Sequence, residues 1–522
     1  MKAELNLWIS KLERRWSMHS IQMEKRCDVL VLGGGGAGLV AGARAAYLGK
    51  QVIVLEKTRH TGGGAQFASA IRTFRSQWQK QRNLPDVMED FIRKGMDDTY
   101  WRLDEQLVRN TCEATGQFFD WYCEMAPETV DQYEVGTYVF DGPEGPKVPL
   151  LKGSRSHYGA GKVIMASMLE VCRRFGGEVL LEWRACDLEL EGNRVSAVLA
   201  ETPDGLARIE CGACIIATGS WVSNPQVVQK VQPEFLGVEL DQSCYAHCQP
   251  AYTGDGIPLA EKAGAFLDYD NFCLRLMGPC VLNPSQVFDS MGNSGYQVNV
   301  NLNGKRWSAE PLQRRIGLFK AGHVLIHQPK GLVYSIFDES NLEAAFRRSK
   351  QPDNGYGGFF GGLHFPDTME ETHADMERAL VKKNGAAYRA NTLSELAQQV
   401  GLPSQALEET IRRYNESCHS GNDPFFKDPE EMVPLTKPPF YAVRGRIGSD
   451  GAFGGILVDS HMRAKALTGG VVPGLYAAGD FAGGRHIKLG DYKEQVINDC
   501  SWAFAGGFLA ANHACGWLGG PT

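Results

Sequence analysis

Between residues 27 and 57 the chain runs apolar strand, glycine turn, small-residue helix, apolar strand and acid. Nothing else in its 522 residues constrains the fold as strongly. "CDVLVLG" reads as a short buried strand of the kind that sits inside a parallel sheet with both faces covered. It runs into "GGGGAGLVAGARAAYLGK", where Gly33, Gly35 and Gly38 satisfy G-x-G-x-x-G, with Gly36 and Ala37 between them. The first glycine permits the tight turn and the second lets backbone approach a pyrophosphate. The third lets helix and strand pack closely, and the helix N-terminus faces the phosphate charge. A second strand, "QVIVLEK", ends at Glu56, where a carboxylate can accept hydrogen bonds from a ribose. A glycine motif alone is a weak signal, but these five parts in order predict a dinucleotide-binding α/β unit.

The residues that follow bear on which dinucleotide is bound. A domain for NAD would continue with further alternating strands and helices. Here Glu56-Lys57 leads into "TRHTGGGAQFASAIRTF", and a second run of glycines and small residues suggests backbone lying against an extended cofactor. At this point the chain resembles the flavoprotein family of fumarate reductase and succinate dehydrogenase, which also includes 3-ketosteroid dehydrogenases. In that family an E-K is followed by a G-G-N-[ST] loop beside the isoalloxazine. Gly62 and Gly63 match the glycine pair, while Gly64 and Ala65 stand where the family has polar residues.

Four later segments resemble the family in the right order. "CIIATGSWVSNP" carries Ala217, Thr218 and Gly219, like the A-T-G turn at the end of a flavin-domain strand. "TGDGIPLAEKAGA" carries Asp255 in a G-D-G-I segment, and "NLNGKRWSAE" resembles the G-K-R-F-x-x-E segment of the capping domain. "GLYAAGDFAGG" resembles the late strand at which Gly479 and Asp480 approach the ribityl chain. The resemblance runs from about residue 26 to 511 and implies bound FAD. Membrane-bound members attach FAD through a histidine, but His60-Thr61 falls too early after Glu56 to match, so non-covalent FAD is expected.

A chain this long needs more than one core. The flavin signals fall in two blocks, before about residue 266 and after about residue 450, as an inserted domain would produce. The expected class is α/β: a Rossmann-like FAD-binding domain interrupted by an α+β capping domain. The expected boundaries are an amphipathic extension over 1–25, the FAD domain over 26–266, the cap over 267–449 and the returning FAD domain over 450–522. In the cap, "GLVYSIFD" reads as a strand, and "TLSELAQQV" and "PSQALEETIRRYNESC" as helices. A cap that closes over the flavin would exclude water. The extension places Leu5, Trp8, Ile9, Leu12 and Trp16 at helical spacing, suited either to packing on the body or to docking on a partner or membrane surface.

The formal net charge of −7 argues against a nucleic-acid partner. No apolar run approaches the ~18 residues that span a bilayer, and the N-terminus lacks a signal-peptide core, so a cytoplasmic protein is expected. The 14 cysteines form no metal array. Cys211 and Cys214 make a lone C-x-x-C around a strand-like run, and reduced core thiols are expected rather than a ligand set.

Reduction of an activated C=C needs a hydride to one carbon, a proton to its neighbour and an anchor for the activating carbonyl. By the resemblance, the proton donor is an arginine on the cap. Arg314 stands at the matching place, with Glu310 four residues before it as a second catalytic candidate, although an acid and an arginine at that spacing can equally form a surface pair. The departures from fumarate reductases are as informative. No H-P-T or [ST]-E-x-x-R segment precedes "GKRW". The family's H-H-T-M-G-G becomes "GSDGAFGG", with Asp450 and no histidine. The segment whose arginine grips a carboxylate becomes "GGRHIKLGDYKEQ". A typical fumarate reductase is therefore not expected. Arg485, His486 and Lys488 there, together with Asp450, are the candidate substrate ligands, and Tyr492 stands near the tyrosine that ketosteroid dehydrogenases use as acid or base. A surface turn of mixed charge is the alternative for that segment, and His157 and Tyr158 are weaker candidates for flavin contact.

The leading expectation is reduction of an enoate-like C=C in a small organic substrate. The alternatives are a ketosteroid-type dehydrogenase and an FAD-binding electron-transfer or non-catalytic subunit. The sequence carries no second dinucleotide motif, haem motif or iron–sulfur array. A separate electron donor or acceptor is therefore expected (a redox protein, free flavin or NAD(P)H), and an oligomer is compatible with the chain.

Overall fold

The computed structural model describes residues 21–68, 71–137, 147–151, 160–233, 251–281, 285–316, 318–351, 363–382, 385–489, 492–495 and 499–519. Residues 1–20, with the amphipathic segment, and His157 and Tyr158 lie outside these, as do the side chains of Arg314, Asp450 and Tyr492.

Three strands set the frame: β1 (Met23–Leu32), β2 (Val52–Glu56) and β3 (Gly205–Ile216). β1 lies between the other two, parallel to both, with Val31 opposite Val54 on one side and Ile215 on the other. Glu178–Leu181 extends the sheet beyond β2, and Val471–Ala477 adds beside β3, again in parallel. The apolar runs of these strands are the predicted signature of burial on both faces, and Val29 to Leu32 are fully buried. Cys27 and Cys211 are register neighbours inside this sheet. Burial pushes the thiols of Cys211 and Cys214 upward, that of Cys211 to about 12, so they sit as core residues. No group of three metal-ligating side chains occurs among the described residues.

Helix α1 (Gly36–Tyr47) follows β1 and covers the sheet with ten buried residues. α2 (Glu105–Met125) and α3 (Ala160–Arg174) pack around it, and α4 (Asp499–Trp517) returns at the end of the chain to lie along α1 and α2. The two blocks of flavin signals are thereby brought together by one packing arrangement. Trp502 on α4 donates through Nε1 to the Gly479 carbonyl at 3.0 Å and fixes the turn after the Val471–Ala477 strand.

A second sheet is built from residues between Cys273 and Phe453 alone. Its central strand, β5 (Phe440–Phe453), pairs antiparallel with β4 (Cys273–Val281), Leu332–Asp338 and Ala387–Ala390. Leu332–Asp338 is buried throughout and carries Val298–Asn301 on its other edge. The helices Leu393–Val400 and Ser404–Ser420 close a separate apolar core that includes Leu396, Leu407 and Ile411. β5 shifts register between Ser449 and Ala452, and its last residues reach the first sheet's cavity. Among the described residues no helix is long and apolar enough to cross a membrane.

Candidate active site

A cavity of about 290 Å³ opens at the carboxyl ends of the parallel strands, where α/β sheets place their ligands. Its floor is the turn from β1 into α1. Gly33 has φ of +110°, and its amide donates to the Leu55 carbonyl at 2.7 Å. A Cβ on Gly33 would lie 2.3 Å from the Ala217 carbonyl oxygen, so the turn is wedged between β2 and β3. A Cβ on Gly38 would lie 1.8 Å from the Gly33 carbonyl oxygen, which is the close helix–strand contact predicted for the third glycine. Gly35, by contrast, faces open space, with Gly63 Cα at 4.0 Å as the nearest atom to an added Cβ.

The second glycine run lies directly across this opening. The Gly62 amide donates to the Gly34 carbonyl at 2.8 Å, and the short turn Gly63–Phe67 forms the facing wall. Ala217, Thr218 and Gly219 form the side next to β3, and Gly479 and Asp480 border the cavity after the late strand. Gly36, Ala37, Glu56, Lys57, Gly64, Ala65 and Asp255 also line it, whereas Gly38 and Gly62 stand behind the wall.

At one end, Glu56 accepts from the amides of Gly34 at 2.9 Å and Thr58 at 2.8 Å. These bonds fix its carboxylate at the tip of β2 and leave lone pairs for a ribose. Lys57 and Asp255 pair with each other at 2.7 Å, and Arg184 reaches the second Asp255 oxygen at 2.9 Å. Burial alone would raise the Asp255 carboxyl, but the Arg184 hydrogen bond and the charges of Lys57 and Arg184 hold it below its ordinary value.

The other end is walled by Arg275, Arg485, Gly451, Ala452 and Phe453. Arg485 is buried, donates to Asp480 at 3.0 Å and lies over the Phe453 ring at 4.5 Å. Burial pulls its guanidinium down to about 10, Asp480 pulls it back up, and neighbouring Arg275 adds to the lowering. At neutral pH it remains a cation. Arg275, also buried, comes from β4. Sequence reasoning missed it. The available signal was a lone cation inside the apolar run "FCLRLMGP".

The other candidate substrate ligands lie elsewhere. The His486 Nε2 contacts the Asn271 carbonyl at 2.6 Å, and Lys488 donates through its amide to the Asn271 side chain and through Nζ to the Val231 carbonyl. They tie the Arg485 segment to β4's leading turn and do not line the cavity. Glu310 also stands outside the wall, buried against Arg306 and Lys427.

The fit of this cavity to FAD rests on its own atoms. The open face of Gly35 is a backbone cradle for a pyrophosphate, and Glu56 is placed for a ribose. The Thr218 hydroxyl is buried in the wall with no hydrogen-bond partner among the described residues. A family model described as an FAD binding domain matches residues 28–487. The chain belongs to this FAD-binding family. It is an FAD-dependent oxidoreductase.

The relatives of this flavoprotein act as reductases and dehydrogenases. A vinyl phenol reductase of Lactiplantibacillus plantarum is 26% identical over 93% of the chain and 96% of its own length. A 3-oxosteroid 1-dehydrogenase of Mycolicibacterium smegmatis is 26% identical over 87% of the chain and 91% of its length. The open conformation of a flavocytochrome c3 fumarate reductase superimposes with a TM-score of 0.69 over 98% of the chain and 81% of its own, at 21% identity, which speaks for the shared fold.

Proposed function

We propose that this flavoprotein reduces an activated C=C bond in a small anionic substrate. The observation that carries the reading is the pair of buried arginines, Arg275 and Arg485, in one end wall of the cavity. Two fixed cations suit a carboxylate or an enolate-like oxygen, which accepts charge-assisted hydrogen bonds.

FAD, bound non-covalently, supplies the hydride chemistry at this site. The protein's part is to bind, orient and protonate. Glu56 and the turn from Gly33 to Ala37 would hold the adenosine and pyrophosphate. Arg275 and Arg485 would grip the oxygen conjugated to the C=C and stabilise the charge that builds there as the hydride arrives. Asp480 keeps the Arg485 fork in place. Arg314 is assigned as proton donor to the neighbouring carbon. The Glu310 carboxylate, committed to Arg306, is assigned a structural part.

Electrons must reach the flavin from a separate donor, and an NADH:acrylate oxidoreductase of Vibrio harveyi among the relatives favours a nicotinamide-linked route. A second reading, dehydrogenation next to a ketone with Tyr492 as base, is supported by the 3-oxosteroid relative. The two separate on substrate charge. Reduced protein is mixed with an enoate and with its neutral ester. Reoxidation at least tenfold faster with the carboxylate is expected, from about 1.5 kcal/mol for one charged hydrogen bond. Equal rates, or turnover of a neutral 3-ketosteroid alone, would refute the anionic reading.

A further inference from the structure

Where the two glycine runs approach each other, one side chain reaches over the cavity. A Cβ on Gly63 would lie 3.2 Å from the Gly35 Cα and 3.9 Å from the Tyr252 hydroxyl oxygen. On the other wall, the nearest atom to a Cβ on Gly219 would be Tyr252 Cε1, at 3.9 Å. Tyr252 is half-buried and lines the cavity. Its ring therefore spans from the β3 side to the second glycine run, with the hydroxyl at the glycines. The Tyr252 oxygen and the Gly35 Cα lie within 4 Å of one point, so the hydroxyl stands beside the seat that the open face of Gly35 offers a pyrophosphate.

The backbone beneath the ring is tied down. The Ser223 amide donates to the Tyr252 carbonyl at 2.9 Å, and Asn224 donates through Nδ2 to the Thr253 carbonyl at 3.0 Å. The Thr253 hydroxyl accepts from Lys57 at 2.8 Å and donates to Asp255 at 2.9 Å. A donor whose backbone is already fixed loses less freedom when it meets a ligand. The cations that line the cavity are committed elsewhere. Lys57 and Arg184 pair with Asp255, and Arg485 pairs with Asp480 beside Arg275 at the other end. The Gln66 amide folds back onto the Gly63 carbonyl at 2.9 Å, and Thr61 turns its methyl toward Gly34. A pyrophosphate at the glycines would meet backbone amides and the positive end of α1, and a hydroxyl donating to its anionic oxygens adds a charge-assisted hydrogen bond.

We infer that Tyr252 is a cofactor-binding residue whose hydroxyl donates a hydrogen bond to the pyrophosphate of FAD. It stands three residues before Asp255 and belongs to none of the glycine motifs, so sequence spacing does not single it out. The inference needs no assumption about the substrate or the direction of the reaction.

Y252F keeps the ring across the opening and removes the hydroxyl alone. The full-length protein, wild type and variant, is stripped of FAD and titrated calorimetrically with FAD and, separately, with ADP, which carries the adenosine and pyrophosphate without the flavin. The expected result is binding of both ligands weakened by about tenfold in Y252F, from the loss of one charge-assisted hydrogen bond, with the melting temperature of the apoprotein unchanged. Wild-type affinity for both ligands would overturn the inference. A loss confined to FAD would overturn it as well, because the hydroxyl would then serve the ribityl or flavin part. Weakening of both ligands together with a lowered apoprotein melting temperature would assign Tyr252 to the fold and not to the cofactor.

Discussion

Gly38→Ala isolates the step on which cofactor binding depends. The added methyl would stand 1.8 Å from the Gly33 carbonyl oxygen and 3.0 Å from its carbonyl carbon. Cβ atoms essentially never approach within 3.0 Å of such atoms, so α1 and the preceding turn must separate by more than an ångström. Neither can yield easily. The Gly33 amide is bonded to Leu55, the Ala217 amide to Leu32, and a displaced Gly33 meets the Ala217 carbonyl. Overpacking of backbone on backbone belongs at the upper end of the usual range, about 3 kcal/mol. If the free protein relieves that strain by moving the turn, binding must restore the turn, and FAD affinity falls by up to about a hundredfold. Titration of apoprotein with FAD, followed by quenching of flavin fluorescence, reads this directly. Gly516→Ala is the control, because no atom lies within 4 Å of its added methyl. A G38A protein that purifies with full flavin and wild-type affinity would refute the role assigned to this turn.

Further outcomes follow from the two ends of the cavity. Arg275→Gln removes one buried cation from the wall proposed to hold substrate and should raise KM for an enoate roughly 30-fold, from about 2 kcal/mol for a charge-assisted bond, with flavin content unchanged. An unchanged KM would remove Arg275 from the site. The Asp255 carboxyl is held below its ordinary 3.8, so its pairing with Lys57 and Arg184 is complete above that pH and is lost as pH falls through the depressed value. Flavin release in an acid titration should therefore begin only below about pH 4. D255N should release flavin more readily at neutral pH, and wild-type retention in D255N would count against the pairing as a cofactor latch.

Local order was what made the cofactor region legible. β1, the turn and α1 follow from a buried run, glycines at fixed offsets and small residues at helical spacing, all within residues 27–47. "GLVYSIFD" and "PSQALEETIRRYNESC" likewise form the expected strand and helix. The arginine end of the cavity was harder to read because it is assembled across the chain. Arg275 and Arg485 are distant in sequence, and an arginine within an apolar strand gives no sign of which face it takes. Sequence reasoning also grouped Arg485, His486 and Lys488 as one polar cluster. In the structure the ribbon His486–Leu489 turns the last two toward backbone carbonyls and leaves Arg485 in the cavity wall. Glu310 shows the same limit. Its spacing suggested a partner four residues later, whereas its partners are Arg306, four residues earlier, and Lys427, brought in by the fold. The pairing of Lys57 with Asp255 spans 198 residues and could not be read from either motif alone.

The central claim, hydride transfer from bound flavin to an activated C=C, is tested most directly in one anaerobic turnover. Protein reduced with dithionite is mixed with a small anionic enoate, and the flavin absorbance and the organic product are measured together. The account predicts return of the oxidised flavin band with one equivalent of saturated product per flavin. Flavin that stays reduced with every enoate, while oxidised protein bleaches on a saturated ketone, would contradict it.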